Sequence, residues 1–255
     1  MASSAVTTPV QKLQSRKDVN PGLRAPGLLG RWPLIGWSMF IIGSLAFAGL
    51  AINLFAQGPL LAWDRALANT LPAIGLKSPP FVKVLMDAGF YLGKEVIMVV
   101  DILLALYFIY KKYWQELAMV TIGWLGSALI FYSLSTLIGR ARPPTMIWII
   151  VNIPGFPSGH AVATFTFYGL LAYLLVPKMR SAFGKWIVVI AALLMIAFVG
   201  FSRIFTGGHY LTDILSGYAV GIAWAGAVYT LIEIYFQTHK RGASIKEGIQ
   251  NVKKD

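Results

Sequence analysis

WIVVIAALLMIAFVGFSRIF, residues 186–205, decides the fold of this chain. Uninterrupted by charge until Arg203, it supplies the roughly 20 apolar residues that a helix needs to cross a bilayer core. Working outward, similar runs occupy Pro33 to Phe55, about Gly93 to Tyr110, Gln115 to Ile138, Ser158 to about Val176, and Tyr210 to Phe236. The second is the least clean and is closed by Lys111 and Lys112. The 255-residue chain is 57% hydrophobic and only 13% charged, a composition that cannot be wrapped into a soluble globule. The expected fold is therefore all-α: a polytopic membrane protein with six transmembrane helices in one bundle.

The segment between the first two runs, Gln57 to Leu92, mixes four prolines with apolar residues. Phe81, Val84, Leu85 and Ala88 recur there at helical spacing, which predicts an interfacial helix lying along one leaflet. The formal charge of +12 is unevenly placed. Lys12, Arg16, Lys17, Arg24, Arg31, Lys111, Lys112, Lys178, Arg180, Lys185, Lys240, Arg241, Lys246, Lys253 and Lys254 all fall on one side of a six-span chain. Short cytoplasmic loops carry the excess of Lys and Arg, so both termini are expected in the cytoplasm and the opposite ends of the spans outside it. The basicity is thus a topology signal with some attraction to anionic lipid, and no nucleic-acid partner is expected. Residues 1–31 lack a signal-peptide pattern and read as a basic cytoplasmic arm, 32–238 as the membrane domain, and 239–255 as a basic cytoplasmic tail. There is no cysteine, hence neither a disulfide nor a thiolate metal site.

Three short segments sit where these runs meet water on the same side: Gly139-Arg140-Ala141-Arg142-Pro143, Pro157-Ser158-Gly159-His160, and Ser202-Arg203 followed by His209 and Asp213. His209 and Asp213 are four apart, so a helix beginning nearby lets the carboxylate reach one ring nitrogen and aim the other as nucleophile or base. An interfacial histidine beside a helix-dipole acid has the same spacing. Pro157 to His160 opens the fourth span, where free backbone N–H groups, the Ser158 hydroxyl and the close approach allowed by Gly159 suit phosphate oxygens, with His160 beside them as a proton donor. A plain serine N-cap is the alternative. Arg140, Arg142 and Arg203 offer guanidinium forks for phosphate, or snorkel to lipid headgroups.

Taken together these segments resemble the three-part signature of the type 2 phosphatidic acid phosphatase superfamily, whose soluble relatives include vanadium haloperoxidases and class A acid phosphatases. The resemblance covers about Pro33 to Phe236. It implies that His209 attacks phosphorus to form a phosphohistidine, that Asp213 orients it, and that His160 protonates the leaving oxygen. By the same resemblance Arg142, Arg203, Ser158, Gly159 and Arg140 hold the transferring phosphoryl group, and neither a metal nor another cofactor is needed. One departure stands out: where the family carries a lysine seven residues before the arginine of Arg-Pro, this chain has Ser135, with Arg140, Lys94 or Lys83 as substitutes for the missing charge. Asp101, inside the second span, belongs to no motif.

The implied activity is hydrolysis of a lipid phosphomonoester or an isoprenoid diphosphate, such as undecaprenyl diphosphate or phosphatidate, in an extracytoplasmic leaflet, a bacterial inner membrane being the expected location. Met146 to Val151 is expected to border the lipid's access route. Phosphotransfer to a second lipid, and non-catalytic binding or transport of a lipid phosphate, remain open at this point.

Overall fold

A computed structural model describes residues 24–144 and 153–252, the stretch 240–252 as backbone alone. Met146 to Val151, most of the basic arm and the last three residues of the tail lie outside the described residues. In chain order the helices are α1 (Leu28–Arg31), α2 (Pro33–Phe55), α3 (Leu60–Lys77), α4 (Pro80–Gly93), α5 (Glu95–Lys111), α6 (Trp114–Ile138), α7 (Gly159–Leu175), α8 (Ala182–Phe205) and α9 (Leu211–Val252). A 3₁₀ turn, Val176–Lys178, follows α7.

The local chemistry explains where the helices stop and start. Pro33 occupies the first turn of α2, where its missing N–H costs nothing. The Ser181 hydroxyl caps α8 by accepting the Gly184 N–H. Gly139 ends α6 at φ 66°, a left-handed conformation natural to glycine, and its N–H returns to the Ser135 carbonyl at 2.9 Å. That turn sends the chain out of the bundle at Arg140.

Among the described residues, five helical segments are long and apolar enough to cross a membrane: α2, α6, Gly159–Lys178, α8, and Leu211–His239 of α9. The second of the six expected spans is α5, whose 17 residues reach about 25 Å at helical rise, short of a core of roughly 30 Å. Where one helix was expected between the first two spans, two are present, α3 and α4. Phe81, Val84 and Leu85 are exposed on α4 and Ala88 is half-buried.

Helix α9 is the axis of the bundle, packed against α2, α7 and α6. Of its crossing stretch 56% is buried, against 11% for α2 at the periphery. Outward apolar side chains such as Leu34, Leu45, Leu129, Leu137 and Leu194 are exposed, the pattern expected of helices solvated by lipid tails rather than water. The largest buried cluster joins Phe108, Met119, Val120, Leu170, Leu174, Val228, Tyr229 and Ile232 at the end of the bundle remote from the three motif segments.

Candidate active site

The motif segments converge because α7 begins, α8 ends and α9 begins at one end of the bundle, where the Gly155 N–H donates to the Arg140 carbonyl at 2.7 Å and the Ser158 N–H to the Asp213 carbonyl at 2.9 Å. His209 lies in the turn between α8 and α9, its backbone N–H donating to the Arg203 carbonyl at 3.2 Å. The ring is 1% exposed. Its Nε2 is 2.9 Å from Arg142 Nη1, and because a guanidinium only donates, Nε2 must be the accepting, unprotonated nitrogen. Nδ1 therefore carries the proton, shared between the Gly155 carbonyl at 3.0 Å and Asp213 Oδ2 at 3.4 Å. Burial lowers the His209 pKa to about 4, with the Asp213 hydrogen bond opposing the shift, so the ring is neutral near pH 7.

Asp213 stands in the first turn of α9 and is fully buried. One oxygen accepts the Tyr210 N–H at 2.9 Å and faces His209; the other receives Arg140 Nη1 at 2.6 Å. The same guanidinium donates through Nη2 to Asp64 Oδ2 at 2.7 Å and through Nη1 to the Thr212 hydroxyl at 2.7 Å. Asp64, on α3 and 1% exposed, also accepts the Thr212 N–H at 2.9 Å. The structure thus sets Arg140 behind the carboxylate, between Asp213 and Asp64, rather than beside Arg142 and Arg203.

Those two arginines face a cavity of about 220 Å³ together with Lys94, Glu95, His160 and His209. Arg142 is anchored through Nε to the Ile153 carbonyl at 2.9 Å and through Nη1 to the Gly208 carbonyl at 2.8 Å. Burial lowers its pKa from the ordinary guanidinium value and the Asp213 charge raises it. Arg203 is 5% exposed and lies over the Phe90 ring, 4.8 Å from its centroid. The His160 and His209 ring centroids are 6.5 Å apart, and His160 also touches Phe90 at 5.0 Å. Ser158 occupies the N-cap position of α7 but forms no capping bond; its buried hydroxyl, His160 Nε2 and Arg203 Nε have no protein partner among the described residues. His160 and Arg203 line the cavity, and buried polar groups left unpaired there are costly unless a ligand satisfies them.

The cavity continues down the bundle from Arg142 past Phe131 and Ala128 to Trp124 and Met98. Trp124 lies 14 residues below Ile138 on α6, a drop of about 21 Å into the hydrocarbon. Its polar end and apolar shaft match a phosphate joined to a lipid tail. Ser135 is fully buried and donates to the Tyr132 carbonyl at 3.2 Å, so its hydroxyl serves its own helix. Asp64 and Glu95 went unrecognised in the sequence, because neither falls in a motif. Asp101 is buried below the cavity beside Ser127, Thr166 and Tyr229.

Comparison with known proteins finds relatives of one kind. Residues 117–236 match the model of the PAP2 superfamily. The chain is 30% identical over 202 residues to the lipid A 4'-phosphatase of Porphyromonas gingivalis, covering 72% of this chain and 79% of that one. It is 29% identical over 164 residues to phosphatidylglycerophosphatase B of Bacillus subtilis, covering 62% and 78%. The crystal structure of a transmembrane PAP2 type phosphatidylglycerolphosphate phosphatase from Bacillus subtilis superposes with a TM-score of 0.63 at 24% identity, over 80% of this chain and 96% of that one, a likeness of fold.

Proposed function

Because this chain belongs to the PAP2 superfamily and is an integral membrane phosphoric ester hydrolase, we propose that its cavity hydrolyses a lipid phosphate through a phosphohistidine on His209. The observation that carries the proposal is the neutral, buried His209 with its accepting Nε2 turned to Arg142, at the polar end of a cavity that runs into the hydrocarbon. His209 Nε2 attacks phosphorus, the bond from phosphorus to the lipid oxygen breaks, and His160 gives that oxygen its proton. Water then attacks the phosphohistidine, His160 takes a proton from it, and inorganic phosphate leaves with His209 restored. Asp213 stabilises the charge that His209 acquires, and Arg142, Arg203, the Ser158 hydroxyl and the Gly159 N–H neutralise the transferring group. Arg140 acts through Asp213 as a positioning residue.

Lys94 supplies the third cation at the cavity. It lies at the start of α5 and takes the place of the charge missing at Ser135. Lipid phosphomonoesters are the first choice of substrate, since the named relatives are a phosphatidylglycerophosphatase and lipid A phosphatases; undecaprenyl diphosphate is second. For topology, α5 makes the sixth crossing, with α3 and α4 lying along the surface, so that both termini share the cytoplasmic side and the cavity opens on the other. Residues 32–238 form the phosphatase domain between two basic extensions.

Phosphate release from phosphatidylglycerol phosphate, phosphatidate, a lipid A phosphate and undecaprenyl diphosphate by detergent-purified protein tests the proposal. Chelator-resistant release from at least one lipid, abolished in His209→Ala, is expected. Binding without release would favour a lipid-phosphate carrier, and label appearing on a second lipid would favour a transferase.

A further inference from the structure

The end of the bundle remote from the cavity carries a second concavity that the hydrolase reading does not use. Helix α7 starts at the motif end and α8 finishes there, so the C-terminal end of α7 and the first turns of α8 lie at the opposite end. Between them, and roofed by the segment around α1, runs an open groove of about 580 Å³, within the size range of small-molecule sites. Arg31 and Lys185 stand in its walls with the exposed Trp32, while Gly169, Ala172 and Val189 contribute small or apolar surface. No carboxylate lines it, and among the described residues neither cation has an ion pair. A Cβ added at Gly169 meets nothing within 4 Å, so the groove is open at that level.

The roof is held in place by buried acids. Glu116 accepts the Ala25 N–H at 2.6 Å, and Glu233 accepts the N–H groups of Gly27 at 3.2 Å and Gly30 at 2.7 Å. Tyr173 bridges them, donating to Glu233 at 2.7 Å and accepting the Leu28 and Leu29 N–H groups. Glu116 is 4% exposed and Glu233 fully buried, and their partners are all in this one segment or beside it. The wall bearing Arg31 and Trp32 is therefore fixed in place before any ligand arrives.

We propose that this groove binds one acidic phospholipid from the leaflet on its own side. The headgroup phosphate pairs with Arg31 and Lys185, the Trp32 indole sits at headgroup depth, and an acyl chain lies along Gly169, Ala172 and Val189. Charge decides the occupant. Two unpaired cations at the mouth of an apolar groove are complementary to a lipid with net negative charge and not to a zwitterionic one.

Native mass spectrometry of the detergent-purified chain, titrated with phosphatidylglycerol or phosphatidylcholine of matched tails, tests this directly. One phosphatidylglycerol should be retained about thirtyfold more tightly than phosphatidylcholine, the factor expected for two basic contacts. The Arg31→Gln/Lys185→Gln double variant should remove that preference, and Gly169→Leu should lower retention of both lipids by filling the groove, at a position where an added Cβ meets nothing within 4 Å. An Arg142→Gln/Arg203→Gln variant should keep the preference. Unchanged retention in the groove variants, or loss of the preference only in the Arg142/Arg203 variant, would overturn the proposal; circular dichroism and elution volume establish that each variant is folded.

Discussion

His209 owes its protonation state to burial rather than to its carboxylate neighbour, and this fixes a pH dependence. Its folded pKa of about 4 lies below the ordinary value of about 6.5, so the unfolded chain binds a proton that the folded chain refuses as pH falls between them. Stability from this group is full above pH 6.5 and declines toward pH 4, while the nucleophile stays neutral throughout. The acid limb of kcat/KM assigned to His209 is accordingly expected near pH 4, and a limb near 6.5 would place the ring in water. Asp213→Asn should lower kcat about 10²-fold or more by removing charge from the imidazolium-like state. Arg140→Gln, one step further out, should lower kcat about tenfold with KM unchanged, whereas Arg142→Gln should also raise KM. Lys94→Ala should cost about 10²-fold in kcat/KM, the scale of losing one preorganised donor, and Ser135→Lys in the same chain should recover part of it. Motif spacing in the sequence pointed to Arg142, Gly159, His160, Arg203 and His209, which line one cavity. It did not separate Arg140 from Arg142, because the feature that draws Arg140 away is Asp64, 76 positions earlier and on no motif. Such an ion pair leaves no periodic trace.

Helices place these side chains through close backbone contacts along α9. A Cβ at Gly43 would come within 2.5 Å of the Ala219 carbonyl oxygen, and one at Gly226 within 2.6 Å of the Gly36 carbonyl oxygen, so α2 and α9 touch almost backbone to backbone. Gly43→Leu should lower the unfolding temperature in detergent by about 5 °C or more, the size of an overpacking penalty, while Leu45→Ala on the lipid-facing side should leave it unchanged. Apolar run length identified α2, α6, α7, α8 and the crossing part of α9, because hydropathy needs no knowledge of packing. It was least informative between Gln57 and Lys111. There the chain divides into α3, α4 and a short α5, and the break between α4 and α5 falls at Lys94, where Lys94 and Glu95 line the cavity. Asp64 reaches the site because α3 packs against α8 and α9.

At the scale of the molecule, Arg31, Lys111, Lys112, Lys178 and Lys185 stand at the end of the bundle opposite the motif segments, and the sidedness proposed from this can be checked by labelling. The chain has no cysteine, so single cysteines report without background. In intact cells an impermeant maleimide should label Lys77→Cys and leave Ser4→Cys and Lys253→Cys untouched until the membrane is opened; the reverse pattern would invert the topology. Composition and charge made the membrane class and the proposed sidedness legible, while apolar run length did not reveal that α5, at 17 residues, is shorter than a bilayer core of roughly 30 Å. The central claim, that His209 carries the phosphoryl group, is tested most directly by rapid acid-free quenching of the enzyme with a ³²P-labelled lipid phosphate. The account predicts an acid-labile, base-stable phosphoprotein mapping to His209, formed and consumed at rates consistent with turnover and absent in His209→Ala. Full release of labelled phosphate at those rates with no phosphoprotein at any time, or with the label on another residue, would contradict it.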